Sequence, residues 1–428
     1  MAKRLKYLRR QARILPLRGV TPASRIIRHI VVIPARGESG SLPDCLRSLA
    51  ANPAGECRQT WCLVIVNNPP PGQAGAEYLD DNLATLRWLD GNHENWPFHL
   101  AFADAASPGR ELPAGYGVGL ARKLGADTAL AALLETEAPQ TAAADQRLLF
   151  HLDADTRVEA NYFAAVRQAI GEQQAGAGVI AFRHAPHPEP AVQRAIALYE
   201  LWMRCYVLGL RRAGSPYAFH TVGSTMVSTL DAYIRAGGMP ARRSAGEDFY
   251  FLQQLAKSDK LIEIETTTVH PSPRPSNRVP FGTGPHIATA LGLDREQPLF
   301  EPPAAFSLLA TLLSTIAEEP LAEASEILER LTEKKAGTAR RFLEAREFDK
   351  AWAGFRQRCP GHRENMLRAF HQWFDGLATR RLINQATPRR LRFAEAWPRW
   401  SAWLRLPDFA NPADALACLR RQCVASRS

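Results

Sequence analysis

Short apolar runs alternate with helix-like runs from about residue 29 to residue 185, and this alternation constrains the fold more than any other feature. The apolar runs are typical of buried strands, and the stretches between them have the periodicity and first-turn residues of helices. Strands that are joined by helices pair in parallel and are covered on both faces. The pattern therefore predicts an α/β fold that is built on a mostly parallel sheet.

Polar residues follow four of the predicted strands at the point where each strand ends. The strand-like runs are His29–Pro34, Trp61–Val66, Phe98–Phe102, Arg147–Leu152 and Ala177–Phe182, and residues 221–227 could form a further strand. The polar groups that follow are Pro34–Glu38, Asn67–Asn68, Asp104 and Asp153–Asp155. Because ligands of parallel sheets bind at the carboxyl ends of the strands, these residues are the first candidates for a functional site.

The remaining chain divides into regions of different character. With 428 residues and 46% apolar residues, the sequence is long enough for more than one domain. From about residue 303 the pattern is entirely helical and rich in Ala, Leu, Arg and Glu. We predict a basic N-terminal arm over residues 1–28, an α/β domain over 29–300 and an all-helical C-terminal domain over 301–428.

The first 28 residues contain nine Lys or Arg and no acid, within a chain of formal net charge +10. Such an arm could lie on an anionic lipid surface or bind polyphosphate or nucleic acid, and a solvated, poorly ordered terminus is the alternative. No run of about 20 apolar residues is present, so no membrane-spanning helix is expected. Seven scattered cysteines without a Cys-x-x-Cys pair favour reduced thiols and a cytoplasmic location, peripheral at the inner face of the membrane if the arm binds lipid.

Two acidic motifs are candidates for chemistry. Asp153-Ala154-Asp155 directly follows a strand and offers two carboxylates to a hard cation such as Mg²⁺ or Mn²⁺, although a turn with Asx caps would show the same residues. Glu247 and Asp248 open a helix-like stretch, where a carboxylate could act as a general base or simply complement the helix dipole.

A third candidate is the Pro- and Arg-rich loop that follows the strand-like residues 261–269. His270 ends that strand and is a candidate third metal ligand, although a lone His is more often structural. Arg274 and Arg278 are candidates for neutralising phosphate, because the fork of a guanidinium matches phosphate oxygens.

The order of these motifs resembles the GT-A glycosyltransferases, especially the bacterial, non-processive, family 2-like enzymes. The matching segments, in chain order, are Val31–Glu38, Gly119–Gly125, Asp153–Asp155, Gly237–Met239 and Gly246–Asp248. The similarity covers roughly residues 29–285. It implies a Rossmann-like GT-A fold in which residues 29–185 form the nucleotide-binding half and residues 186–300 the acceptor half.

The resemblance also implies an activity and its participants. It implies a metal-dependent transferase of the hexosyltransferase type that uses Mg²⁺ or Mn²⁺. A UDP-, GDP- or dTDP-sugar would donate the sugar, and a hydroxyl of a lipid-linked or small-molecule acceptor would receive it. We do not expect nucleic acid as a partner.

Specific roles follow from the same resemblance. Asp155, Asp153 and His270 would hold the metal, and Asp248 with Glu247 would form the catalytic acid pair. The residues expected near the nucleotide and its phosphates are Pro34, Arg36, Glu38, Asn67, Arg122, Lys123, Asp153, Arg274 and Arg278.

The sequence departs from the family pattern in ways that leave alternatives open. Asn67-Asn68-Pro69 stands where family members carry Asp-Asp-Gly-Ser, and Gly37 replaces their Asn, so the nucleotide is not specified. The Gln-x-x-Arg-Trp motif of polymerising synthases is absent. Inversion and retention both remain open, because the loop at His270 is also similar to that of retaining enzymes. A nucleotidyltransferase acting on sugar phosphates and a non-enzymatic protein that binds nucleic acid or membrane surfaces are the alternatives.

Overall fold

The structure is a computed structural model that describes most residues of the chain. They are residues 2–22, 27–73, 75–135, 147–243, 246–275, 282–292 and 299–425. The chain forms two compact units. The sheet unit comprises Met1–Val192 and Thr221–Thr289, and the helical unit comprises Gln193–His220 and Ala290–Ser428.

The sheet unit contains nine strands in one mixed sheet, within the described residues. They are β1 (Arg18–Gly19), β2 (His29–Ala35), β3 (Thr60–Asn67), β4 (His99–Ala105), β5 (Leu148–His151), β6 (Arg157–Val158), β7 (Ala177–Phe182), β8 (Met226–Thr229) and β9 (Leu261–His270). Their order is β1-β4-β3-β2-β5-β8-β7-β9-β6. Strands β4, β3, β2 and β5 are parallel neighbours, as are β7 and β9, whereas β8 runs antiparallel between β5 and β7.

Helices connect most of the strands in the sheet unit. They are α1 (Ala2–Arg10), α2 (Leu42–Ala50), α3 (Ala54–Cys57), α4 (Leu79–Asn92), α5 (Val118–Glu135), α6 (Tyr162–Gln173), α7 (Pro190–Arg212), which continues into the helical unit, α8 (Leu230–Arg235), α9 (Glu247–Ser258) and α10 (Thr283–Leu291). Helix α5 packs directly on β2 and β3. A Cβ at Gly125 would lie 2.5 Å from a methyl group of Val32, so this close approach requires glycine.

The remaining helices form the helical unit. They are α11 (Pro303–Glu318), α12 (Ala324–Glu333), α13 (Gly337–Glu344), α14 (Phe348–Arg358), α15 (Arg363–Trp373), α16 (Gly376–Gln385), α17 (Phe393–Leu404) and α18 (Pro412–Ala425). Trp352, Trp397 and Trp400 are buried in its core, so these rings support packing and are not exposed for stacking on bases. The α/β class with a helical C-terminal region is thus confirmed.

Two local features differ from the sequence-based expectations. Residues 193–220 group with the helical unit, although residues 186–300 were expected to form one half of the α/β domain. The apolar face of α7 accounts for this, because Leu201 and Cys205 are part of the helical core and Gly209 lies against the ring of Phe306. The strand expected over residues 221–227 starts later, because Gly223–Thr225 form a 3-10 turn before β8.

A search of the described helices finds none with the length and apolar character that crossing a bilayer requires. Six cysteines are free thiols in the described residues, and five of them are buried.

Candidate active site

The acidic motif Asp153–Asp155 lies at the carboxyl edge of the parallel part of the sheet. Strand β5 ends at His151, and the N–H of Leu152 still donates to the carbonyl of Val32 on β2 at 3.1 Å. Glu38 follows the neighbouring strand β2 and is buried. The expected gathering of polar groups at this edge is therefore present in the structure.

A buried guanidinium joins two of the acids. Arg122, 2% exposed in the first turns of α5, contacts Asp153 through Nη2 and Glu247, the first residue of α9, through Nη1. Burial lowers the pKa of Arg122, but the two carboxylates outweigh that effect and raise it above its ordinary value. Arg122 thus links the acid pair of the 153–155 motif to the acid pair of α9.

Two glycines make room for this link. A Cβ at Gly223 would overlap the guanidinium of Arg122, and a Cβ at Gly119 would lie 2.8 Å from Cβ of Glu247. The glycine that opens the Gly119–Gly125 motif therefore has a local physical reason. Gly223 belongs to the 3-10 turn before β8, which the sequence analysis interpreted as strand.

Ser224 is a site residue that the sequence analysis missed. Its hydroxyl donates to Oδ2 of Asp153 at 2.6 Å and accepts from the backbone N–H of Asp153 at 3.3 Å. Asp153 is therefore fixed by Ser224 on one oxygen and by Arg122 on the other. The only signal in the sequence was a Gly-Ser-Thr stretch before a short apolar run.

Asp248 differs electrostatically from its neighbours. Loss of hydration and then repulsion from Glu247 raise the pKa of Asp248 to about 7, against an opposing effect of Arg122. Its side chain is partly exposed, and one carboxylate oxygen accepts the backbone N–H of Phe249 at 2.7 Å. A carboxyl group that titrates near neutral pH can take up a proton from a substrate hydroxyl.

A second guanidinium lies on the other side of the acidic motif. Nη2 of Arg274 contacts both oxygens of Glu38, at 2.9 and 2.8 Å, and Oδ2 of Asp155 at 3.3 Å. Nη1 of Arg274 donates to the hydroxyl of Ser41 at 3.3 Å. Carboxylate oxygens from two loops thus converge on one cationic group at the carboxyl edge.

The structure places His270 in different contacts from those of the acidic motif. Its Nδ1 is 3.2 Å from the carbonyl of Arg183, and its Nε2 is 3.5 Å from a carboxylate oxygen of Glu159. Among the described residues, no group of three His, Cys, Asp or Glu side chains is arranged to hold a metal ion. A third protein ligand for a metal at Asp153 and Asp155 therefore remains a prediction.

Three other residues of the first strand-end loop, which also contains Glu38, have contacts outside the acidic cluster. Pro34 lies within β2, and Arg36 packs against Gly75 in the next loop. Gly37 has φ +64°, and a Cβ there would overlap the ring of Tyr78, so this position requires glycine.

Asn67 and Lys123 have structural partners that the sequence did not indicate. The amide of Asn67 is buried and donates to the carbonyls of Ala35 and Ile65, both at 3.1 Å. The ammonium of Lys123 is buried against Asp127 and Tyr7, at 2.9 Å from each. While these contacts hold, neither group is available to a nucleotide. Arg278 lies outside the described residues.

Comparisons with known proteins give no family. Neither the family models nor the curated proteins contain a match. Similar solved structures include S. aureus TarS 1–349 in complex with UDP-GlcNAc, at 11% identity and a TM-score of 0.37 over 81% of this chain and 91% of that one. They also include the mannosyltransferase PcManGT from Pyrobaculum calidifontis in complex with GDP-Man and Mn²⁺, at 15% identity and a TM-score of 0.34 over 88% and 94%. Similarity at this level does not assign an activity.

Proposed function

We propose that this protein is a GT-A-type glycosyltransferase that moves a sugar from a nucleotide-diphosphate donor to a hydroxyl acceptor. The observation that carries the proposal is the linked acidic cluster at the carboxyl edge of the sheet. There Arg122 joins the Asp153 motif to Glu247, and burial beside Glu247 raises the pKa of Asp248 to about 7. The cluster combines a group that can accept a proton with groups that can hold a cation and phosphates.

The loop of Arg274 is the proposed binding site for the donor diphosphate. Arg274 contacts Glu38 and Asp155, and its guanidinium would turn from these carboxylates to the phosphate oxygens of the donor. Charge that builds on the departing nucleotide would then be shared by this guanidinium.

A divalent cation fits the oxygen donors at this edge. Glu38 and Asp155 already hold a cationic group between them, and Mg²⁺ or Mn²⁺ is commonly bound by one or two carboxylates together with substrate phosphates. Asp155 and Asp153 would provide the carboxylates, with His270 as the proposed third ligand. When bound, the ion would supply Lewis-acid stabilisation of the leaving diphosphate.

Asp248 is the proposed base for an inverting transfer. In its ionised form it would take the proton of the acceptor hydroxyl as the oxygen bonds to the anomeric carbon and the nucleoside diphosphate departs. Glu247, held by Arg122, would fix the start of α9 and with it the position of Asp248. A hexose as the sugar and a lipid-linked or small-molecule acceptor are the remaining parts of this proposal.

A donor screen tests the proposed function. Nucleotide release would be measured with UDP-, GDP- and dTDP-sugars, each with Mn²⁺, with Mg²⁺ and with EDTA. We expect release with one donor class and loss of release in EDTA. We expect Asp155→Ala to abolish both turnover and metal-dependent donor binding.

The matched control is Asp90→Ala, since Asp90 is an exposed carboxylate of α4 that pairs with Arg18. It should retain full activity. Wild-type activity in Asp155→Ala, or no release from any nucleotide-sugar by the wild-type protein, would contradict the proposal.

A further inference from the structure

The N-terminal helix α1 is attached to the sheet unit by one face. The hydroxyl of Tyr7 donates to Oδ1 of buried Asp127 at 2.8 Å, and Arg4 pairs with Asp231 at 3.0 Å. Beyond the helix, the backbone N–H of Arg13 donates to Oδ2 of Asp127 at 2.9 Å. The segment is therefore held on the sheet unit through Arg4, Tyr7 and the backbone of Arg13.

The opposite face of α1 points to solvent and is basic. At 100° per residue, Leu5, Lys6, Arg9 and Arg10 lie on the side away from Arg4 and Tyr7, and all four are exposed. Arg13 and Ile14 follow and are exposed as well. We call these six residues the N-terminal basic face.

The cations of this face are not neutralised by the described part of the protein. No described acidic side chain forms an ion pair with Lys6, Arg9, Arg10 or Arg13. Two acids contact this segment, and each already has a cationic partner, since Asp231 pairs with Arg4 and Asp127 pairs with Lys123. Four positive charges therefore remain for an external anionic partner.

Two of these six residues are apolar. Leu5 is 39% exposed and Ile14 is 57% exposed. They are two of the four large hydrophobic residues that are exposed in the described chain, and the other two are distant in sequence. Exposed apolar side chains beside unpaired cations are suited to the two layers of a bilayer surface. The apolar side chains can insert at the acyl boundary while the cations contact the anionic headgroups.

We propose that the N-terminal basic face docks the sheet unit on an anionic lipid bilayer. The exposed side chains of Leu5 and Ile14 favour lipid over nucleic acid as the partner. The phosphate backbone of a nucleic acid can bind the cations, but it has no apolar layer into which Leu5 and Ile14 could insert. This inference does not depend on the proposed transferase activity.

Vesicle sedimentation with the full chain tests the docking. We expect binding to equimolar phosphatidylcholine and phosphatidylglycerol vesicles, little binding to pure phosphatidylcholine, and release as salt increases. Because each cation near such a surface contributes about fivefold in affinity, the combined variant Lys6→Gln, Arg9→Gln, Arg10→Gln and Arg13→Gln should bind several hundredfold less tightly.

The control removes the same charge elsewhere. Lys350, Arg368, Arg381 and Arg399 are exposed cations of the helical unit, and their combined change to Gln should leave vesicle binding within about twofold of wild type. Both variants change exposed side chains, so equal thermal midpoints in all three proteins would show that folding is intact.

A third variant separates the apolar contribution from the charges. Leu5→Gln with Ile14→Gln should weaken binding to anionic vesicles by about tenfold while its salt dependence stays the same. Absence of wild-type binding, equal loss in the control, or binding to duplex DNA that the four-charge variant loses while vesicle binding is unchanged would each overturn the proposal.

Discussion

Buried carboxylates are neutralised differently in the two units of the protein. In the helical unit, Arg420 contacts both oxygens of Glu200 at 2.8 and 2.7 Å, and Arg204 contacts Glu200 at 2.9 Å. Glu301 accepts from Nε1 of Trp202 at 2.9 Å and lies 3.3 Å from Arg390. Each of these acids has hydrogen-bonding or cationic partners of its own.

The acidic cluster of the sheet unit has the opposite arrangement, although buried Asp127 of the same unit has Lys123 as a partner of its own. One guanidinium, that of Arg122, serves both Asp153 and Glu247. Within the described residues no ion pair reaches Asp248, and its pKa is raised to about 7. Acids outnumber cations here, which stabilises a fold less but leaves a carboxyl group that can exchange a proton near neutral pH. The difference separates acids that have partners of their own from acids that share one cation.

The largest expected effect comes from Asp248→Asn. If Asp248 is the base, kcat should fall by about 10²–10⁴-fold. Stability should change in the opposite direction. The folded pKa of about 7 lies above the ordinary 3.8, so ionisation above neutral pH costs the folded state. Removing the charge should raise the free energy of unfolding at pH 8 by roughly 1–4 kcal/mol, and by little at pH 4.

Urea unfolding at the two pH values, together with initial rates, checks both parts. Asp44→Asn serves as the control, because Asp44 is an exposed carboxylate on α2 that pairs with Arg47 and should change neither quantity. Near-normal transfer by Asp248→Asn would favour a retaining mechanism. If Asp248→Asn has the same free energy of unfolding as the wild type at pH 8, the proposed electrostatic difference between the two units is wrong.

A smaller effect is expected from Arg122→Lys. The ammonium of lysine cannot contact two carboxylates in the forked geometry of arginine, so one of Asp153 and Glu247 would lose its partner. We expect kcat to fall by about 10–100-fold, with a smaller change in the donor KM if Asp153 keeps the contact. Arg167→Lys, at an exposed pair with Glu56, is the control for loss of a guanidinium. Wild-type kcat in Arg122→Lys would contradict the linking role.

The sequence predicted the strands of this site better than its electrostatics. Residues 61–66 and 177–182 are apolar runs, and such continuous runs are typical of the buried strands of a parallel sheet. Their polar ends located Glu38, Asp153 and Asp155 correctly at one edge. These positions depend on where each strand ends, which the local pattern of apolar and polar residues indicates.

Contacts between distant segments were not predictable in the same way. Lys123 and Arg122 are adjacent on α5, yet one is held by Tyr7 and the other by Asp153. The local sequence of α5 does not indicate which of its faces contacts the N-terminal segment. Ser224 was missed for the same reason, since its role depends on a turn that is brought against Asp153 from 71 positions away. Helix α7 joined the helical unit because its partners lie later in the chain.

The pH dependence of transfer gives a smaller effect, and it tests whether Asp248 differs from the paired acids in its ionisation. Because Asp248 must be ionised to accept a proton, kcat should rise by about tenfold per pH unit below the pKa of about 7 and level off above it. Initial rates at saturating donor, over pH 5–9, would show this profile. A rate that is constant from pH 5 to pH 8 would exclude Asp248 as the group that limits transfer.

The smallest expected effect is that of Glu301→Gln in the helical unit, and it is the counterpart of Asp248→Asn. Glutamine keeps an oxygen for Nε1 of Trp202 but loses the charge that faces Arg390, whose side chain is 38% exposed. Solvent screening of that arginine limits the cost to about 1–2 kcal/mol of unfolding free energy, measured by urea denaturation. The transfer rate of the folded protein should not change.

Glu301→Gln would then lower stability without affecting activity, whereas Asp248→Asn would lower activity while raising stability. Loss of transfer in Glu301→Gln at temperatures where it is fully folded would show instead that the helical unit contributes a charge to the reaction.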